Sequence, residues 1–169
     1  EKAREFMAKS GLRPSKLDIT YSTRGTEQEH LDEAEFFKAQ LKKIGITLKI
    51  EVLSFRDFLN RGRAGELQMW TDNWIYDYPD AENIMQLLIT KNHPGINKSG
   101  FSNKKVDVLY KELSEEQDKE RRYEIAYEIE DIVEQELPWI LLIYESTYIA
   151  HQRKVKNFRK SFFIRNYMK

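Results

Sequence analysis

The chain has 169 residues, 40% of them hydrophobic and 12% aromatic, which is enough to bury the core of one globular domain. Its 28 basic residues balance its 28 acidic ones, and this argues against a nucleic-acid-coating protein, whose affinity comes mostly from neutralising phosphates. The chain has no cysteine, so it forms neither disulfides nor zinc–thiolate sites, and we expect no cofactor. The longest apolar run, Leu137–Tyr144, is as long as a strand and too short to span a membrane.

The first residues predict a helix over Glu1–Lys9 that is closed by Gly11. The sequence begins without an initiator methionine and without an apolar signal segment. We therefore expect the chain to be a piece of a longer protein.

Two strands are predicted by alternation of apolar and polar residues over Leu17–Tyr21 and Ile46–Val52. Between them, Thr26 is the predicted cap of a helix and Gly45 its stop. A strand–helix–strand unit normally crosses over right-handed, so the two strands are predicted to be parallel. The predicted helix carries apolar residues at helical spacing: Leu31, Ala34, Phe37, Leu41 and Ile44.

The strand–helix–strand unit is followed by further helices and strands, so we predict an α/β fold in which helices flank a mixed sheet. The predicted elements are, in chain order, a short helix over Phe55–Asn60, a strand over Leu67–Trp74, a short helix over Asn83–Thr90, helices over 104–117 and 119–136, and a strand over Trp139–Tyr144 paired with Thr147–Ala150.

The stretch Trp74–Asn83 resembles the signature Trp-x-x-Asp-Tyr-x-Asp-Pro-x-Asn of family 5 bacterial extracellular solute-binding proteins, the oligopeptide and dipeptide receptors of ABC importers. Tyr76 and Ala81 depart from it, because the family often has a small residue and a proline there. Further motifs of the family are matched in order along the chain at Ala3–Gly11, Asn97–Asp107, Arg121–Glu130 and Glu136–Ile140.

This resemblance implies a type II periplasmic-binding-protein lobe over residues 1–150, the second lobe of a two-lobed receptor that encloses its ligand. It implies that the tail, residues 151–169, crosses towards the absent first lobe, and the tail's rings (Phe158, Phe162, Phe163 and Tyr167) are the expected anchors. Alternatively, these rings complete this domain's own core. The implied partners are a peptide, the first lobe and ABC permease subunits, with no nucleic acid. The expected location is extracytoplasmic, with membrane attachment only through an anchor outside this chain.

The candidate binding residues lie in the signature. A sheltered carboxylate can hold an ammonium group through charge-assisted hydrogen bonds, and a neighbouring aromatic face excludes water and attracts cations. In the family, the residue matching Asp77 receives the peptide's N-terminal amine and the one matching Trp74 lies beside the ligand, so we assign these roles to Asp77 and Trp74 and add Tyr76. The alternative is that Asp77 and Asp80 simply build a turn around Pro79.

The same carboxylates allow two other interpretations, a hydrolytic site and a metal site. A hydrolase using Asp77 with Asp80 or Glu82 as acid and base is the alternative function, although it explains only one loop. Metal binding by Asp72, Asp77 and Asp80 is disfavoured, because their spacing is not that of a calcium loop. The three histidines are far apart in sequence and are interpreted as surface or turn residues: His30, His93 and His151. We therefore predict no catalytic residues and no metal site.

Overall fold

A computed structural model of the chain describes residues 1–143, 148 and 150–156, which form two compact units. We call the first the sheet unit; it contains Glu1–Asn73 and Lys91–Gly100. The second, the helical unit, contains Trp74–Thr90 and the described residues from Phe101 onward. The predicted division into a lobe of residues 1–150 and a tail of residues 151–169 stays a prediction, and the aromatic residues of the tail lie outside the described residues.

The sheet unit is built on three parallel strands in the order β2-β1-β3. The strands are β1 (Asp18–Ser22), β2 (Thr47–Glu51) and β3 (Met69–Trp70). The predicted parallel strand–helix–strand unit is therefore confirmed. The core of this unit contains Tyr21, Ala34 and Leu48, with the partly buried side chains of Ile19, Phe37, Leu41, Ile50 and Met69 packed around them.

The third strand is much shorter than the predicted Leu67–Trp74, and the Gln68 side chain explains why it begins late. Gln68 Oε1 accepts a hydrogen bond from the Thr20 backbone N–H (2.8 Å), and Gln68 Nε2 donates to the Asp18 carbonyl (3.2 Å). A side chain thus satisfies the backbone groups of β1 that a longer β3 would otherwise have paired. The backbone ladder consequently begins only at Met69.

The helices of the sheet unit are α1 (Lys2–Lys9), α2 (Gln28–Lys42) and α3 (Phe55–Ala64). The prediction that Thr26 caps α2 is wrong, because Glu27 occupies the N-cap and makes no side-chain capping bond. Helix α3 runs past its predicted end at Asn60 and stops at Gly65, which has a positive φ of 72° that favours glycine.

The helical unit contains α4 (Glu82–Met85), a single 3₁₀ turn at Gln86–Leu88, α5 (Lys104–Glu115) and α6 (Lys119–Glu136). Side-chain caps begin the two long helices: Asn103 accepts from two backbone N–H groups of α5, and Asp118 accepts from one of α6. The core of this unit consists of Met85, Leu88, Ile89, Val106, Leu109, Leu113, Ile125, Ala126 and Ile129.

The predicted strand over Trp139–Tyr144 is wrong for residues 139–143, which are not in a strand. The apolar side chains of residues 140–143 are exposed, 73% for Ile140 and 79% for Ile143, whereas Trp139 is partly buried against the core of the helical unit. A strand needs a hydrogen-bonded neighbour, and no described residue pairs with this segment. Most of its predicted partner, Thr147–Ala150, lies outside the described residues. Within the described part of the chain, no helix is long and apolar enough to cross a bilayer.

Candidate functional site

The signature loop, residues Trp74–Asn83, belongs to the helical unit and leads directly into α4. Asp80 closes its turn, because the Asp80 side chain accepts a hydrogen bond from the Glu82 backbone N–H (2.9 Å). The Asp80 carbonyl also accepts from the Asn83 backbone N–H (3.1 Å). Aspartate favours such local side-chain-to-backbone bonds, so Asp80, one residue before the Ala81 N-cap, holds the loop against the start of α4.

The Asn83 side chain holds the beginning of the loop, at Trp74. Its Oδ1 accepts a hydrogen bond from Trp74 Nε1 (2.8 Å) and a longer one from the Asp77 backbone N–H (3.4 Å). Asn83 is only 1% exposed, whereas Trp74 is 37% exposed. One buried amide oxygen therefore orients both the indole ring and the backbone of the predicted amine-binding residue.

Asp77 itself is exposed. Among residues 1–143, 148 and 150–156, none donates a hydrogen bond to its carboxylate or pairs with it, so in the described structure its charge faces solvent. Tyr76 is half-buried beside it in the sequence. The structure thus brings Trp74 and Asp77 together through Asn83 and leaves the carboxylate accessible to a ligand.

Asp80, only three residues further on, has a different environment. Arg122 of α6 donates to Asp80 Oδ1 (2.7 Å) and also to the backbone carbonyls of Leu113 and Glu116 (2.9 Å for the latter). Partial burial acts to raise the pKa of Asp80, but the Glu82 N–H and the Arg122 guanidinium outweigh it and lower that pKa below its ordinary value. Asp80 is therefore a charged structural residue that joins the loop to the α5–α6 junction.

Glu82 is also engaged. Tyr110 of α5 donates its hydroxyl to Glu82 Oε1 (3.4 Å), and burial together with the nearby Glu82 charge raises the pKa of Tyr110 to about 12. A general acid needs a pKa raised towards the working pH, and Asp80 is shifted in the opposite direction. The alternative of a hydrolase using Asp77 with Asp80 or Glu82 is therefore not supported.

In the sheet unit, polar side chains pair with one another where β1 and β3 end. The Tyr21 hydroxyl is hydrogen-bonded to Thr71 Oγ1 (2.9 Å), and Arg24 donates to Asn73 Oδ1 (2.7 Å). Lys98 forms an ion pair with Asp72 (2.5 Å). This pairing removes Asp72 from the set of carboxylates weighed as metal ligands, and the described part of the chain holds no cluster of three or more His, Asp or Glu residues arranged for a metal.

Sequence reasoning did not identify the supporting residues of the loop. Asn83 is the last position of the quoted signature, so a signal for it existed, but the pattern alone does not show that its side chain faces back to Trp74. Arg122 lies 42 residues from Asp80, and no spacing rule connects positions so far apart in sequence.

Comparison with known proteins identifies the family. The sequence profile of bacterial extracellular solute-binding proteins, family 5 Middle, matches residues 1–95, a range that contains the whole signature loop. The dipeptide-binding protein DppE of Bacillus subtilis is 26% identical over 141 residues, which are 83% of this chain and 25% of DppE. Di/tripeptide-binding protein 2 of Pseudomonas aeruginosa is 24% identical over 165 residues, which are 95% of this chain and 31% of that protein.

A solved structure supports the same conclusion. The ABC transporter-associated periplasmic binding protein DppA from Helicobacter pylori, in complex with the peptide STSA, superposes with a TM-score of 0.73 at 27% identity. The superposition covers 81% of this chain and 27% of DppA, which confirms the predicted α/β periplasmic-binding-protein fold. The chain spans about a quarter to a third of the length of these relatives.

The profile match covers more than half of the chain and includes the loop that carries the resemblance. The match to a family of extracellular binding proteins also confirms the expected location outside the cytoplasm. The chain belongs to family 5 of the bacterial extracellular solute-binding proteins.

Proposed function

We propose that the chain is the second lobe of a receptor that captures peptides outside the cytoplasmic membrane and delivers them to an ABC importer. The proposal is supported by the relatives, since DppE and di/tripeptide-binding protein 2 are named for peptide binding and H. pylori DppA is bound to a peptide. Its partners are a peptide, the first lobe of the same protein and the permease subunits of the transporter, and its membrane attachment is through an anchor outside this chain.

The observation that carries the proposal is the open carboxylate of Asp77 beside Trp74. Asp80 and Glu82 already have partners in the helical unit, whereas Asp77 has none among the described side chains. An ammonium group satisfies such a carboxylate through charge-assisted hydrogen bonds, and the Trp74 ring supplies an aromatic wall for it. Asp77 is thus the proposed amine ligand, with Trp74 and the half-buried Tyr76 as walls.

The proposed protein is a receptor and not an enzyme. Its family consists of solute-binding proteins, and the carboxylates nearest in sequence to Asp77 are occupied by structural partners. Binding and release of an unmodified peptide need no general acid or base, so one accessible carboxylate is sufficient for the proposed task.

The function is tested by screening the full-length protein against di- to pentapeptides, first by thermal shift and then by calorimetry. Each peptide is measured with a free N-terminus and with an acetylated one, which removes the positive charge and changes little else. Free-amine peptides should raise the melting temperature by mass action, and their acetylated partners should do so far less. If no peptide stabilises the protein, the proposed function is wrong. If peptides bind but acetylation makes no difference across the set, peptide capture stands and the amine site at Asp77 is wrong.

The proposed division into lobes has its own test. Two-lobed receptors enclose their ligand, and a single lobe buries too little of it to offset the cost of association. The isolated 169-residue chain should therefore bind the best peptide of the screen far more weakly than the full-length protein does. Calorimetry that shows micromolar or tighter binding to the isolated chain would contradict its assignment as one lobe of a two-lobed receptor.

A further inference from the structure

We propose that Asn83 is the positioning residue of the amine site, and that its side-chain oxygen sets the geometry of both Trp74 and Asp77. This inference rests on the proposed function, because it concerns how the same loop holds a peptide amine. Asn83 has no direct role in ligand binding here. It acts through the two residues that are proposed to touch the ligand.

The hydrogen-bond geometry carries the inference. An amide oxygen has two lone pairs, and Asn83 Oδ1 uses both of them inside the signature loop, at 2.8 Å from Trp74 Nε1 and 3.4 Å from the Asp77 backbone nitrogen. The indole is the more tightly held of the two groups, because 2.8 Å is a full hydrogen bond and 3.4 Å is a weak one. Both groups need an acceptor, which an apolar side chain at position 83 does not provide.

Asn83 is itself held firmly. It is the second residue of α4 and only 1% exposed, its backbone N–H donates to the Asp80 carbonyl, and its backbone carbonyl accepts from Gln86 Nε2 (2.8 Å). Asp80 in turn is bound by Arg122. The acceptor oxygen therefore stands on a helix start that is fixed from two sides, as a site requires when its side chains must keep their orientation.

Three variants of the full-length protein separate positioning from a general loss of stability. Asn83→Leu removes the acceptor at similar volume, and Asn83→Asp keeps an acceptor oxygen in the same place. Asn97→Leu is the matched control, because Asn97 is also a buried asparagine (0% exposed) whose Oδ1 accepts a hydrogen bond, from Ser99 Oγ, but it belongs to the sheet unit. Trp74→Phe breaks the same bond from an exposed position, which tests the inference even if Asn83→Leu does not fold.

Two readouts are measured with the best free-amine peptide of the screen and its acetylated form. In Asn83→Leu, the free-amine peptide should bind about tenfold more weakly, the size of one to two lost hydrogen bonds, and the weakening on acetylation should shrink. Trp74→Phe should show the same change to a smaller extent, whereas Asn83→Asp and Asn97→Leu should keep the wild-type ratio of the two affinities. The indole N–H resonance of Trp74, assigned by its loss in Trp74→Phe, should move upfield in Asn83→Leu and stay in place in Asn97→Leu.

The outcomes distinguish this inference from the proposed function. If the wild type distinguishes the two peptides but Asn83→Leu and Trp74→Phe distinguish them equally well, the receptor function stands and the positioning role is wrong. The role is also wrong if Asn97→Leu changes the ratio as much as Asn83→Leu does. If the wild type itself binds no peptide, the proposed function fails, and the role of Asn83 in amine binding fails with it.

Discussion

The two halves of the signature loop differ in what they use their side chains for. The second half, Asp80–Asn83, is tied into the helical unit through Arg122, Tyr110 and a buried asparagine amide. The first half, Trp74–Asp77, exposes its indole, its carboxylate and the 56% exposed Ile75. Folding interactions therefore engage the second half and hold the first half in place without covering it.

The clearest expression of this difference is a pair of aspartates three residues apart. Asp80 has a guanidinium and a backbone N–H as partners, and the result is a lowered pKa. Asp77 has an exposed carboxylate with no partner among the described residues. Residue type alone does not show which of the two aspartates is a structural anchor, whereas the built-in counter-charge of Asp80 does.

The largest expected effect is on peptide binding when the open aspartate is neutralised. In the full-length protein, Asp77→Asn should weaken binding of a free-amine peptide by about 2 to 5 kcal/mol, because it leaves an ammonium group without its counter-charge. Asp80→Asn should weaken it much less, since Asp80 already serves Arg122. Calorimetry compares the two, and equal losses in both variants would erase the proposed difference between the two halves.

The next effect is on stability. Arg122→Ala removes a side chain that is 20% exposed and bonds to Asp80 and two carbonyls, so it should lower the free energy of unfolding by about 2 to 3 kcal/mol. The neighbouring Arg121 is a matched control, because its ion pairs with Glu112 and Glu124 lie on the surface. Arg121→Ala should change urea unfolding far less, and similar losses for both arginines would refute the anchoring role of Arg122.

A smaller effect depends on pH. A group whose pKa is lowered by folding stabilises the protein above its unfolded pKa, and this contribution is lost as the pH falls through the folded pKa. Asp80→Asn should therefore cost on the order of 1 kcal/mol at pH 7, discounted for solvent screening, and the cost should shrink below about pH 4. Urea unfolding at both pH values measures this. Asp77→Asn, whose side chain is exposed, should leave stability at pH 7 unchanged.

Much of the sheet unit followed from local pattern. Alternation of apolar and polar residues predicted both strands of the strand–helix–strand unit, β1 and β2. Gly45, which has a positive φ, marked the end of the segment that joins them. The start of the third strand was predicted too early, because a Gln68 side chain replaces backbone pairing there, and no periodicity reports such a substitution. The strand predicted from Trp139 onward is wrong over residues 139–143, because an apolar composition does not by itself supply a neighbouring strand to pair with.

The residues of the candidate site could be predicted from the sequence, but the hydrogen-bond partners that hold the loop in place could not. Trp74 and Asp77 were found through the family signature and Tyr76 was added beside them, and the ligand roles of all three remain predictions. The bond from Arg122 to Asp80 joins positions 42 residues apart, and it depends on how α6 packs beside the loop. Such long-range partners follow from the tertiary fold, so sequence patterning did not reveal which aspartate was already paired.

The central claim, that Asp77 receives the ligand's amine, is tested most directly by a cycle of four affinities. Wild-type and Asp77→Asn full-length proteins are each titrated with one peptide and with its N-acetylated form. If the amine and Asp77 interact, acetylation should reproduce most of the Asp77→Asn loss in the wild type and add little in the variant. If acetylation weakens binding equally in both proteins, the two groups are not coupled and Asp77 is not the amine ligand.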